Sequence, residues 1–239
     1  MAAAGLRGEE RNGGTAMDVD LWKRRGRDLA LAGTVAGLAL GMGACSSGDG
    51  GLPFRAAVVL SQPDQVVDAL PSPSSLPPGW RQAPGAKPPK VIEHADVSRD
   101  CQKKLSIGCS GIQLGGTARY ELASNTDNDI RFTLLTFDTA EHAGPAFEAV
   151  VTSMEKDDAK ARRISLKVAA EQSQGFERPA DSSDSAGGAL ASAMVLRVGA
   201  VVALIELDED ERDHKTLQQF TALQAERIKK VQQGMNPDA

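Results

Sequence analysis

Histidine and cysteine are scarce in this chain, and the motifs that make them reactive are missing. There are three histidines, His94, His142 and His214, and none stands in an H-E-x-x-H or H-x-H pattern. That excludes the common zinc hydrolase arrangement. There is no G-x-S-x-G elbow; Gly108-Cys109-Ser110-Gly111 comes nearest and lacks its strand-turn-helix context. Gly115-Gly116 leads into no lysine-bearing phosphate loop. Carboxylates are many but scattered, so no catalytic pair stands out. No enzyme, no cofactor and no metal site is expected. An excess of basic residues is also lacking: 27 Lys and Arg face 32 Asp and Glu, a formal charge of −5. Nucleic acid is therefore not an expected partner. Nor is there an apolar run of the about 20 residues that a membrane-crossing helix needs.

One shorter apolar run is present. Leu29 to Ala44 is sixteen residues without a charge, and it follows Lys23, Arg24, Arg25 and Arg27. Gly33, Thr34, Gly37, Gly41 and Gly43 lower its hydrophobicity. Cys45 ends it, and Ser46, Ser47 and Gly48 follow. A basic block, a short apolar core and small residues before a cut site are the parts of an export signal. Met42-Gly43-Ala44-Cys45 resembles the lipobox of bacterial lipoproteins, with Met42 where leucine is usual. The resemblance implies cleavage between Ala44 and Cys45 and a diacylglycerol on the Cys45 thiol. Two acyl chains hold a protein firmly, since each buried methylene contributes about 0.8 kcal/mol. The expected location is the extracytoplasmic face of the cell membrane. Met17 fits as an alternative start, leaving residues 1–16 outside the signal. Arg24-Arg25 is a weak sign of twin-arginine export.

With Cys45 lipidated, two cysteines remain. Cys101 and Cys109 enclose seven residues, and an even remainder in an oxidising compartment reads as a disulfide. Two free buried thiols are the alternative; a metal site lacks a third ligand nearby. Removing residues 1–44 takes away six basic and five acidic residues, leaving a formal charge of −6. The expected organisation is a signal peptide over 1–44, a Gly/Ser tether over 45–56, one globular domain over 57–234 and a tail over 235–239.

Along the domain, Asp64 is placed to cap a short helix from Gln65 to Leu70. Leu76-Pro77-Pro78-Gly79-Trp80 reads as a rigid turn delivering Trp80 into the core, with a ligand-stacking tryptophan as the alternative. Lys90 to His94 reads as a short strand. Ile112 to Ala123 and Ile130 to Phe137 read as a hairpin around the turn Asn125 to Asp129, with Gly115-Gly116 allowing a bend or bulge. Asp138-Thr139-Ala140-Glu141 resembles a capping box before a helix whose inner stripe is Ala143, Phe147, Val150, Val151 and Met154. Ile164, Leu166 and Val168 read as a half-buried strand, and residues 171–188 as a surface loop. Ala189 to Val198 and Val201 to Leu207 form a second hairpin, with Gly199-Ala200 as a type II′ turn. The acidic run Glu206 to Glu211 reads as a solvated turn rather than a calcium loop. Asp213 is placed to cap a last helix. Its inner side carries Leu217, Phe220, Leu223, Gln224, Ile228 and Val231, and Arg227, Lys229 and Lys230 suit its dipole. The fold class is α+β: an antiparallel sheet of about five strands with packed helices.

Leu76-Pro-Pro-Gly-Trp80, the cysteine pair, the hairpin around Arg197 to Val202 and the closing helix resemble actinobacterial surface lipoproteins. Some of these are similar to the extracellular sensor domain of the PknH-type serine/threonine kinase. The resemblance implies an extracytoplasmic binding or sensing module, with a small envelope ligand or a membrane protein as its partner. An envelope hydrolase or transferase, and a structural or assembly lipoprotein, are the alternative functions.

Overall fold

The computed structural model describes residues 58–83, 88–105, 107–157, 161–179, 190–209 and 214–239, all within the unit Leu40–Ala239. Cys45, the signal and the tether lie outside these residues. Their core is one antiparallel sheet of eight strands. The strands are β1 (Trp80–Gln82), β2 (Lys90–Ile92), β3 (Ile112–Leu122), β4 (Asn125–Phe137), β5 (Arg162–Ile164), β6 (Gln172–Pro179), β7 (Leu190–Val198) and β8 (Val201–Glu209). In space they run β1-β3-β4-β8-β7-β6-β5, and β2 lies beyond β1 along the same edge of β3. Four helices pack on the sheet: α1 (Pro63–Ala69), α2 (His94–Leu105), α3 (Ala140–Asp157) and α4 (His214–Gln232).

Alternation along the strands splits the apolar residues between two faces. The first face carries Ala118, Tyr120, Ile130, Phe132, Leu134, Met194, Leu196, Ala203 and Ile205, all buried. Helices α1 and α4 close it. Phe220 of α4 meets Phe132 edge to face at 5.8 Å between ring centroids. The second face carries Val195, Val202 and Leu204, also buried, and is covered by α2 and α3.

The glycine pair in β3 explains how helices reach both faces. A Cβ on Gly116 would stand 2.6 Å from Cγ1 of Val66 in α1. One on Gly115 would stand 3.0 Å from Cγ2 of Val97 in α2. The two missing side chains let α1 and α2 sit close against opposite sides of one strand. The expected irregularity is there too, as a register shift between Ile112 and Gly115.

Several elements differ from the sequence expectation. The sheet has eight strands rather than about five, because short edge strands and one polar strand join it. Residues 171–188 were expected as loop, yet β6 occupies Gln172–Pro179. It carries a single large apolar side chain, Phe176, and its order comes from the ladder with β7. Of Ile164, Leu166 and Val168 only Ile164 is in a strand; the other two pack on the core from outside the ladder. Asn125 to Asp129 belong to β4 rather than to a turn, so the hairpin turns at Ala123-Ser124. β8 continues through Glu209, which makes Glu206 and Asp208 strand residues. α1 begins at Pro63, with Gln62 at the cap position in place of Asp64; Gln65 Oε1 accepts from the backbone N–H of Gln62 at 3.1 Å. At α3 the cap is Thr139, whose Oγ1 accepts from the backbone N–H of His142 at 3.2 Å.

The last hairpin agrees closely with expectation. Val198 pairs with Val201 around Gly199, whose φ of 55° falls where glycine is favoured. α4 ends as expected near Gly234, with Met235 N–H on the Lys230 carbonyl and Gly234 N–H on that of Val231, both 2.9 Å.

Candidate functional site

The disulfide joins Cys101, in the second half of α2, to Cys109, with Cα atoms 5.9 Å apart. Its loop rests on α3: a Cβ on Gly108 would meet the Pro145 carbonyl and Ala146 Cα at 2.8 Å. The bridge therefore ties α2 and the start of β3 to the helix beside them. Trp80 stands at the start of β1, half-buried on the first face, edge-on to Phe220 at 5.0 Å. Cys45 and Ala44 lie outside the described residues.

Among the described residues, His142 is the one histidine with a close acidic partner, Nδ1 to Asp138 Oδ1 at 2.6 Å. Both side chains are half-exposed, and Gly111 lies beneath them. Among the described residues no serine or cysteine hydrogen-bonds to the pair, and no three His, Cys, Asp or Glu converge on a metal site.

A buried polar knot links the end of α1 to α4 and the C-terminal segment. Gln224 Nε2 donates to the Ala69 carbonyl at 2.7 Å, and Arg227 Nη2 to that of Asp68 at 2.8 Å. Tyr120 Oη donates to the Pro71 carbonyl. Burial pushes the tyrosine pKa up to about 12, partly offset by the positive charge of Arg227. Arg227 itself is buried, and its carboxylate partner is Asp238, Nη1 to Oδ1 2.5 Å, in the segment expected to be a tail. Arg227 was expected to serve the helix dipole. Its partner instead follows the glycine that ends α4, where no periodic signal announces it.

The open chemistry lies on the second face. α2 covers it at Gly115 and α3 covers its apolar rows. The next rows, toward the β3–β4 turn, are polar. One row crosses three strands as Lys90, Thr117 and Thr133. The next is Arg119, Arg131 and Glu206. The last is Arg81, Glu121, Asp129 and Asp208. Arg81 donates through Nε and Nη2 to Glu121 Oε1 at 3.1 and 2.8 Å. Arg119 Nη2 donates to Asp129 Oδ2 at 2.6 Å. The arginines lie over these carboxylates, whose side chains are only 9% and 14% exposed against 51% and 49% for Arg81 and Arg119.

No sequence motif marks these rows. Their signal was the alternation in Ala118-Arg119-Tyr120-Glu121 and in Ile130-Arg131-Phe132-Thr133, where every second residue is polar. The same alternation in Ile205-Glu206-Leu207-Asp208 was hidden within the acidic run.

A comparison with protein-family descriptions finds no match, and a comparison with curated proteins finds none. Among solved structures, the extracellular domain of PknH from Mycobacterium tuberculosis resembles this chain with a TM-score of 0.45 and 12% identity. The match covers 74% of this chain and 99% of that one. The likeness is loose, and it matches the resemblance drawn from the sequence only to that degree. Among the described residues no helix is long and apolar enough to cross a membrane.

Proposed function

We propose that this protein is a lipid-anchored extracytoplasmic binding module, sensor-like in that it displays a recognition surface on a tether and carries no recognised catalytic motif. The observation that carries the reading is the Cys101–Cys109 disulfide, which accounts for the two cysteines left once Cys45 is lipidated. Disulfides persist outside the cytoplasm and are rare within it.

The binding surface of this reading is the polar half of the second face, and the position of Val58, the first described residue, supports it. Val58 N–H donates to the Gln232 carbonyl at 2.9 Å, at the end of α4 beside the Gly199 turn. That turn and Thr136, paired with Val201, mark one end of the sheet. Arg131 lies five residues further along β4, about 17 Å away at the usual rise per residue. The chain thus enters at one end and the polar rows sit toward the other, away from the expected anchor.

A thermal-shift screen of envelope lipids, sugars and peptidoglycan fragments, joined to crosslinking in intact cells, tests the proposal. A ligand or one crosslinked partner is expected. A melting temperature unmoved by every compound, with no crosslinked partner, would remove the binding role. Hydrolysis or group transfer that is lost on changing a single Asp, Glu or His would establish the enzyme alternative in its place. Co-purification with one fixed membrane complex would establish an assembly role.

A further inference from the structure

The polar rows are not uniform in charge. Glu121 and Asp129 are each engaged by an arginine, from Arg81 and Arg119. Beyond the intervening row of Arg119, Arg131 and Glu206, Lys90, Thr117 and Thr133 form a row that contains no carboxylate. Among the described residues, the side chains of Lys90, Thr117, Thr133 and Arg131 make no hydrogen bond or ion pair. Thr117 and Thr133 are a direct cross-strand pair, with Lys90 opposite Thr117 on its other side. Arg131 precedes Thr133 by two residues and so shares its face. Neighbours in such a lattice lie about 5 Å apart across strands and about 7 Å apart along them. Two hydroxyls, a guanidinium and an ammonium thus stand within reach of one small group.

Arg119 and Arg131 also face each other directly across β3 and β4. Like charges in that position repel. Asp129 bonds Arg119 and not Arg131, while Glu206 stands opposite Arg131 on its β8 side and balances part of the charge of this row, so the side of Arg131 toward Thr133 is where an anion would add to it. All four uncommitted side chains can donate hydrogen bonds, and two of them are cationic. Their natural complement is a group with several acceptor oxygens and a negative charge.

We infer that Arg131, Thr133, Thr117 and Lys90 form a binding site for an oxyanion, a phosphate or carboxylate group carried by a small envelope ligand. This rests on the binding-module reading and names the chemistry of its ligand. Arg131 supplies the planar fork that suits either group, the two threonine hydroxyls fix the third direction, and Lys90 adds charge at the open side. Arg119, held by Asp129, borders the site and raises its potential.

The test is calorimetric titration of the full-length chain with inorganic phosphate, and separately with acetate, at constant ionic strength. Saturable phosphate binding in the millimolar range is expected. Arg131→Gln should weaken it by about tenfold or more, the usual cost of losing a hydrogen-bonded charge, with a smaller loss in Thr133→Val. Arg162→Gln, on the opposite face, should leave it unchanged. Circular dichroism of each variant checks that it folds. Binding of both anions points to a carboxylate or phosphate ligand, and binding of phosphate alone to a phosphorylated one. Absence of saturable binding of either anion, or equal binding by wild type and Arg131→Gln, overturns the inference. A neutral ligand found in the thermal-shift screen alongside that result would keep the binding module and discard only the oxyanion site.

Discussion

Tyr120 is the only tyrosine in the chain, which makes its ionisation directly observable. It is 1% exposed, and burial raises its pKa to about 12 against about 10 in an unfolded chain. The neutral phenol belongs to the folded state. Its contribution to stability is complete below about pH 10 and is lost as pH rises toward 12. Absorbance at 295 nm should therefore show the phenolate forming near pH 12 or together with unfolding; a midpoint near 10 in folded protein would contradict the buried bond to Pro71. Asp238 has the opposite sign. The hydrogen bond from Arg227 holds its carboxyl below the usual range, so its contribution is present above about pH 4 and fades as pH falls through the lowered value. Asp238→Asn leaves a buried guanidinium without its carboxylate. Because Asp238 is itself 41% exposed, a cost of about 2 kcal/mol is expected, below that of a fully buried pair, and urea unfolding measures it. Gln224 was visible in the sequence as a polar break in the apolar stripe of the last helix. Its reason was not, because the carbonyl it satisfies is that of Ala69, 155 residues earlier.

At the scale of elements, periodicity made most of the core legible. The last hairpin, the helix after Phe137 and the closing helix stand near their expected places because each has a dense apolar stripe. α2 and β6 were missed because they have almost none. α2 buries only Val97 and Cys101, which suffices since Gly115 lets it lie close to β3. β6 is specified by its neighbour β7 rather than by its own residues. The glycine pair was seen in the sequence as a bulge, while its role in admitting two helices needed the structure. Gly116→Val should push α1 off β3 and cost about 1–3 kcal/mol. Gly144→Ala should do the reverse. Gly144 lies in α3 with nothing within 4 Å of the added methyl, and a gain of about 0.5–1 kcal/mol is expected. Thermal unfolding of the two variants side by side checks the signs; a neutral Gly116→Val would show that α1 is not seated as described.

At the scale of the whole molecule, the sheet holds its two halves to different tasks. The first face and the apolar rows of the second form the core, with helices on both sides. The polar rows lie toward the β3–β4 turn, and Val58, where the described residues begin, lies toward the other end. That arrangement was only partly legible. Composition and alternation pointed to an α+β domain, but register decides which polar residues share a row, and register between distant strands is not written in local pattern. The cysteines carried more. Their order, one after an apolar run and two close together, predicted the bridge that is found, and the proposed extracytoplasmic location rests on them.

The central claim is that Cys45 is lipidated and that Cys101 and Cys109 are paired in the same molecule. The most direct measurement is the intact mass of protein extracted from its native membrane, taken before and after reduction and alkylation. The account predicts a mass of residues 45–239 plus a diacylglycerol group, lighter by two hydrogens until reduced, with two thiols alkylated only afterwards. A mass that retains residues 29–44, or two thiols alkylated without reduction, would contradict it and remove both the anchor and the extracytoplasmic location.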